Sequence, residues 1–247
     1  MAYSILQSVS KTRRIEAPKI LLSGEQKIGK STFSASAPNA IGILTEDGMV
    51  GIDAQAFPLS RTLDDVYKCI AGLSDEEHSF SSVYLDSLDW LEPLLQAHVC
   101  KVNGWPDIES AGYGKGYVAA ATEWRKLLDA LEALRIKRKM AVILICHVKQ
   151  TRIESPIAEA YDGYTLKLNQ KASSLVQEWV DIVGFAAQRI ALKKPAEGFG
   201  SKKALKNPDR VLHLEAHPAY PSGNRFGLLD CPLEWSSFAQ QLSDLQT

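Results

Sequence analysis

The sequence predicts an α/β fold with a mainly parallel central sheet flanked by helices, on three observations. Short apolar runs recur along the 247 residues, the stretches between them carry helical periodicity, and a glycine-rich turn joins the first run to the first helix-like stretch. An apolar content of 45% at this length buries a substantial core, and a single large domain is expected.

Residues 19–23 are the first strand, an aliphatic run of the kind a sheet covered on both faces requires. Helix 30–37 follows the glycine turn, and strand 40–45 follows that helix. Helix 63–73 leads to strand 82–85, a third apolar run that ends in an acid. Helices at 88–102 and 118–139 come next. In the latter, Trp124, Leu127, Leu128, Leu131 and Leu134 make one stripe at i, i+3, i+4, i+7 spacing, read as core packing without chemistry. Strands 141–145, 181–187 and 211–215 complete six. Residues 103–116, 149–168 and 193–209 are rich in Gly, Pro, Lys or polar residues and are expected to be irregular.

Twenty-eight Lys and Arg against 29 Asp and Glu give a net charge of −1, so nothing global attracts nucleic acid or an anionic membrane, and any such surface is local. Cys69, Cys100, Cys146 and Cys231 form no CxxC pair, which argues against a zinc site and a disulfide framework; they read as reduced, mostly buried thiols. Residues 1–10 lack a signal-peptide pattern, and the longest apolar run, 140–146, is too short to span a bilayer. A soluble, cytoplasmic protein with no membrane partner is expected.

The glycine turn, Gly24-Glu25-Gln26-Lys27-Ile28-Gly29-Lys30-Ser31, fits G-x-x-x-x-G-K-[ST] between a strand and a helix. Such a P-loop turns backbone N–H groups and a helix N-terminus toward a phosphate chain. Lys30 is expected to reach the β and γ phosphates, Ser31 to offer its hydroxyl to Mg²⁺, and Thr32 to contact the phosphate nearest the sugar. Asp86, ending Ser82-Val-Tyr-Leu-Asp86, is the second candidate for the metal, with helix N-capping as its alternative. Asp89 is placed in the following first helical turn.

Ser87 follows Asp86, so a water-activating carboxylate has to come from elsewhere. Glu46 ends the second strand, at the sheet edge where ligands of open α/β sheets gather, and is the candidate general base. Asp47 is a fallback, and a polar turn before Gly48 is the alternative reading of both. His147 ends the fourth strand; it is read as a sensor of the γ phosphate or as a hydrogen-bonded structural residue. No Asn-Lys-x-Asp segment is present, so ATP is preferred over GTP.

These motifs, with Tyr113-Gly-Lys-Gly-Tyr117 and Asn224-Arg-Phe-Gly227, resemble the RecA-core P-loop ATPases encoded by phages and prophages, AAA-type ATP-binding proteins related to RadA and to single-strand annealing recombination proteins. The resemblance implies a RecA-like core over 19–247, an N-terminal arm, 1–18, as a candidate subunit contact, and a bacterial host cytoplasm. It places the catalytic Glu on Glu46 and the nucleotide switch on His147. It also offers Arg225 to a neighbouring subunit's nucleotide, although Gly223 stands where that family has Lys. The implied activity is Mg²⁺-dependent ATP hydrolysis on single-stranded DNA, in recombination or annealing, by a homo-oligomeric ring or filament, with a single-strand DNA-binding protein as a further partner.

Candidate DNA contacts combine cations with aromatic faces: Tyr113, Lys115 and Tyr117 in loop 103–117, and Lys149 and Arg152 in loop 149–168. The bland alternative is that the two tyrosines cover the sheet edge and Lys115 is solvated. The basic segment 193–210 is a third candidate surface or an insertion. Two other function classes remain open at this level: a nucleotide-gated loader that recruits a replication or recombination protein, and a small-molecule kinase, which needs more lid arginines than Arg152 alone supplies.

Overall fold

The computed structural model describes residues 17–154, 159–192 and 204–245. In chain order the elements are β1 (Lys19–Gly24), α1 (Lys30–Ala35), β2 (Ala40–Leu44), β3 (Gln55–Ala56), α2 (Leu63–Asp75), β4 (Ser82–Asp86), α3 (Leu88–Asn103) and α4 (Lys115–Arg138). They continue with β5 (Ala141–Ile153), β6 (Tyr161–Leu166), α5 (Gln170–Trp179), β7 (Ile182–Leu192), β8 (Ala204–His213), β9 (Gly223–Asn224), β10 (Cys231–Pro232) and α6 (Trp235–Asp244).

The strands lie in the order β10-β8-β7-β1-β5-β4-β2-β3, with β6 paired to β5 and β9 to β7. From β7 to β3 every neighbour on this path is parallel, while β8, β10, β6 and β9 pair antiparallel. The expected α/β architecture is therefore present.

Helices cover both faces, which is why the central strands are uninterrupted apolar runs. Alternation sorts their side chains: Leu21, Leu85, Val142 and Leu144 face the α2 to α5 side, where Leu91, Trp124, Leu127 and Leu131 pack. Ile20, Leu22, Ile143 and Ile145 face the other side, against Phe33 of α1 and Phe238 of α6. The α4 stripe is core, as its spacing predicts; Trp124 is 1% exposed.

The structure corrects three expectations. Residues 149–168 are not one irregular loop: β5 runs past 145 to Ile153 and pairs with β6 as a hairpin, with Lys149 opposite Thr165 and Arg152 opposite Asp162. Polar residues on this half-solvated ribbon conceal the strand signal. Helices α5 and α6 go beyond the expected elements: each is only 10 residues long, with Ala172, Leu175, Val176 and Trp179 packing on the core from one and Trp235, Phe238 and Leu242 from the other. Finally, only Cys146 is buried; Cys69, Cys100 and Cys231 are half-buried.

The strand expected at 211–215 is instead the end of the longer β8, which stops at His213 and begins at Ala204, inside the segment 193–209 expected to be irregular; Lys206 and Arg210 of the basic segment are thereby brought into the sheet. Lys193, Lys194, Lys202 and Lys203 lie outside the described residues, as do residues 1–16 of the N-terminal arm. Among the described residues, no helix is long and apolar enough to cross a membrane.

Candidate nucleotide site

Strand register assembles the site. Gly24 lies opposite His147 where β1 meets β5, and Leu44 lies opposite Asp86 where β2 meets β4. Parallel pairing therefore sets the glycine turn, Thr45-Glu46, Asp86 and His147 at one edge of the sheet, the carboxyl edge, where helix N-termini converge. A cavity of about 590 Å³ opens there, and Lys30, Ser31, Glu46, Asp86 and His147 all reach it.

The turn needs its glycines. Gly24 has φ +153° and a Cβ there would stand 2.5 Å from the Ala186 carbonyl oxygen, while Gly29 has φ +109° at the N-cap of α1. Ile28 is buried in the α1/α6 core and pins the turn from below, and Gln26, Lys27 and Thr32 line the cavity. Glu25 points elsewhere, accepting the Tyr164 hydroxyl at 3.1 Å from β6.

Lys30 is 4% exposed, and its ammonium donates to the carbonyls of Gly24 at 3.0 Å and Glu25 at 2.7 Å. Burial lowers its pKa, with Asp86, Asp89, Cys146 and Glu46 acting the other way. The Ser31 hydroxyl donates to Asp86 Oδ2 at 2.6 Å. Burial raises the Asp86 pKa, opposed by that hydrogen bond. A buried cation held by carbonyls suits a phosphate chain, and a hydroxyl beside a carboxylate is a hard oxygen pair that suits Mg²⁺. The residues present thus fit a magnesium nucleotide. Asp86 does not cap α3; its carboxylate is turned to Ser31.

Glu46 is held at the cavity by its neighbours. Thr45 N–H donates to the Asp86 carbonyl at 2.8 Å, the Thr45 hydroxyl to the Ser87 carbonyl at 2.7 Å, and the Ser87 hydroxyl to Glu46 Oε1 at 2.6 Å. Asp47 is exposed, so of the two acids only Glu46 faces the cavity.

His147 is gripped by Asp89, whose carboxylate is 1% exposed. Asp89 Oδ1 accepts the His147 backbone N–H at 3.1 Å, and the two oxygens lie 3.0 and 3.1 Å from Nδ1. A carboxylate there assigns the proton to Nδ1 and leaves Nε2 as the other ring nitrogen. Glu46 Oε1 is 3.9 Å from the same Nδ1. Although burial works against it, hydrogen bonding from His147 holds the Asp89 carboxyl down to about 2.

Asp89 is thus a residue whose role the sequence hides, since any acid in a first helical turn looks like a dipole partner. Asp89→Ala is expected to cost about 1–3 kcal/mol in denaturant unfolding, because it orphans the buried His147 donors. Its folded pKa lies below the unfolded value of about 3.9, so the stabilisation is complete above that value and fades as pH falls toward 2. The gap between wild type and Asp89→Ala should close over that window. A gap that stays constant would remove the pair from the account.

Further residues reach the cavity without an expected role there: Trp90 of α3, Lys167 after β6, whose Nζ is 3.7 Å from Asp89 Oδ2, and Arg210 of β8. The other expected site residues lie elsewhere. Arg225 ion-pairs with Asp181 at 3.4 Å and donates to the Glu178 carbonyl at 3.1 Å, beside the start of β7 and hence at the opposite end of the sheet from the turn. Tyr113 is fully exposed at φ +47°, whereas Lys115 and Tyr117 belong to the first turn of α4, where Tyr117 donates to Glu109 at 3.2 Å. Arg152 pairs with Asp162 at 3.7 Å. Glu92 lies within electrostatic reach of both Lys149 and Tyr117, so the two candidate DNA segments share one end of the molecule.

No curated protein matches the chain. Among solved structures, the crystal structure of the RadB recombinase is similar at 15% identity, over 84% of this chain and 84% of that one, with a TM-score of 0.45. The profile described as AAA domain, AAA_24, matches residues 16–226. With that match spanning the glycine turn, Glu46, Asp86 and His147, the chain belongs to the AAA domain family AAA_24.

Proposed function

We propose that the chain is a Mg²⁺-dependent ATP hydrolase that binds single-stranded DNA, acts in phage-type homologous recombination or single-strand annealing, and works as a ring or filament. The observation that carries the hydrolase reading is the meeting of Lys30, the Ser31–Asp86 pair and Glu46 at one cavity. Mg²⁺, when bound by Ser31 and Asp86, would neutralise phosphate charge and polarise the bond to be cut. Lys30 then stabilises charge that develops on the phosphates, from a position the turn carbonyls already fix. Glu46 takes the proton of the attacking water, and the Ser87 hydroxyl keeps its carboxylate aimed.

His147 supports a coupling role because β5 continues unbroken from it into the hairpin bearing Lys149 and Arg152. A displacement at the Asp89–His147 pair is passed along one strand toward those cations. Arg225, exposed and far from its own chain's cavity, acts in this reading on the nucleotide of a neighbouring subunit. The N-terminal arm is assigned to the same subunit contact.

ATP hydrolysis measured with and without single-stranded oligonucleotide, alongside particle imaging, tests the whole reading. DNA-stimulated turnover and closed or helical assemblies are the expected results; slow turnover indifferent to DNA would favour a loader. In the loops, Lys115→Ala with Lys149→Ala should weaken oligonucleotide binding by about tenfold and flatten its salt dependence by about two phosphate contacts. Binding that survives the double replacement places the DNA elsewhere.

A further inference from the structure

The cavity over the turn has two ends. Glu46, Asp86 and His147 stand at one; at the other are Gly29, Thr32 and Arg210. A second cavity, of about 440 Å³, opens at that far end and shares those same three residues. Its floor is apolar, made by Phe33, Leu233 and Trp235, and its rim carries Ser36, Glu234 and Ser236.

The floor is rigid for a physical reason. The rings of Phe33, Trp235 and Phe238 pack with centroids 5.3 to 5.8 Å apart, tying α6 to α1, the helix that continues from the turn. The backbone bond from Leu233 N–H to the Arg210 carbonyl, 3.0 Å, fastens the remaining wall to β8. The Arg210 guanidinium lies against the turn itself: a Cβ on Gly29 would come within 2.6 Å of it.

Resting on the triphosphate reading of residues 24–32, we propose that this second cavity takes the nucleoside half of the nucleotide. A triphosphate whose terminal phosphate is cut beside Glu46 and Asp86 has to leave the turn at Thr32, and the shared boundary is there. A flat base suits the Phe33, Leu233 and Trp235 floor. Arg210 at the boundary can present its planar guanidinium to a base face and its charge to the adjoining phosphates. The hydroxyls and Glu234 on the rim match the ribose hydroxyls and the N–H edge of a base. The volume lies within the range of small-molecule sites, about 300–1,000 Å³. Arg210 thereby leaves the basic DNA surface to which its sequence neighbours assign it and becomes a nucleotide-binding residue.

Calorimetric titration of the full chain with Mg-ATP and with Mg-tripolyphosphate, which has the phosphates but no nucleoside, tests this. Ser36→Trp and Ser236→Trp each fill the second cavity from an exposed position outside the turn. Each should weaken ATP binding about tenfold or more while leaving tripolyphosphate binding within about twofold of wild type. The assignment is overturned if both variants bind ATP as wild type does, or if both lose tripolyphosphate equally. Wild type that binds neither ligand would instead overturn the triphosphate reading beneath it.

Discussion

Glu46→Gln should lower ATP turnover by about 10²–10⁴-fold while leaving ATP binding nearly unchanged, the range expected for loss of a positioned general base. Gln is the informative replacement. Its carbonyl oxygen can still accept the Ser87 hydroxyl bond that Glu46 Oε1 accepts at 2.6 Å, so the turn after β2 keeps its shape. An amide cannot take the proton of water. Single-turnover hydrolysis with bound ATP quantified in parallel separates the two effects. Undiminished turnover would sink the assignment, and the exposed Asp47 would offer no rescue because it does not line the cavity.

Lys30→Ala should cost about 10²–10³-fold in turnover, the penalty for removing one preorganised donor to developing charge, and should also weaken ATP binding. The side chain is buried, and removing it deprives the Gly24 and Glu25 carbonyls of their donor as well. The folded state should therefore lose about 1–3 kcal/mol before any ligand is added. Thermal unfolding with and without Mg-ATP reads both consequences: a lower midpoint for the variant, and loss of the upward shift that ATP gives wild type. A variant that is still stabilised by ATP as wild type is would show that Lys30 does not hold the phosphates. Chelating Mg²⁺ should lower wild-type turnover toward the level of that variant, since Ser31 and Asp86 act through the metal.

Much of this site is legible in the chain because each component is a strand-end residue. An aliphatic run announces the strand, and parallel pairing sends every such end to the same edge; so Gly24, Glu46, Asp86 and His147 can be placed together before any coordinates are known. Arg225 shows the limit. A motif gives its neighbours in sequence, yet β9 pairs antiparallel to β7, and that pairing carries Arg225 to Asp181, beyond the start of β7. The hairpin β5–β6 was concealed by its polar, half-solvated surface, and α5 and α6 by their shortness, since 10 residues give an apolar stripe little room to repeat.

The sequence alone determined the parallel α/β architecture, the glycine turn and the acids and histidine that face it, because period, apolar runs and the demand for glycine are local properties. Tertiary structure alone decided that Asp89 holds His147, that Ser87 aims Glu46 rather than capping α3, and that Arg210 joins the nucleotide turn. Those contacts join residues 58, 41 and, for Gly29 and Arg210, 181 positions apart. Only the packing of strands and helices around a shared core fixes distances of that kind.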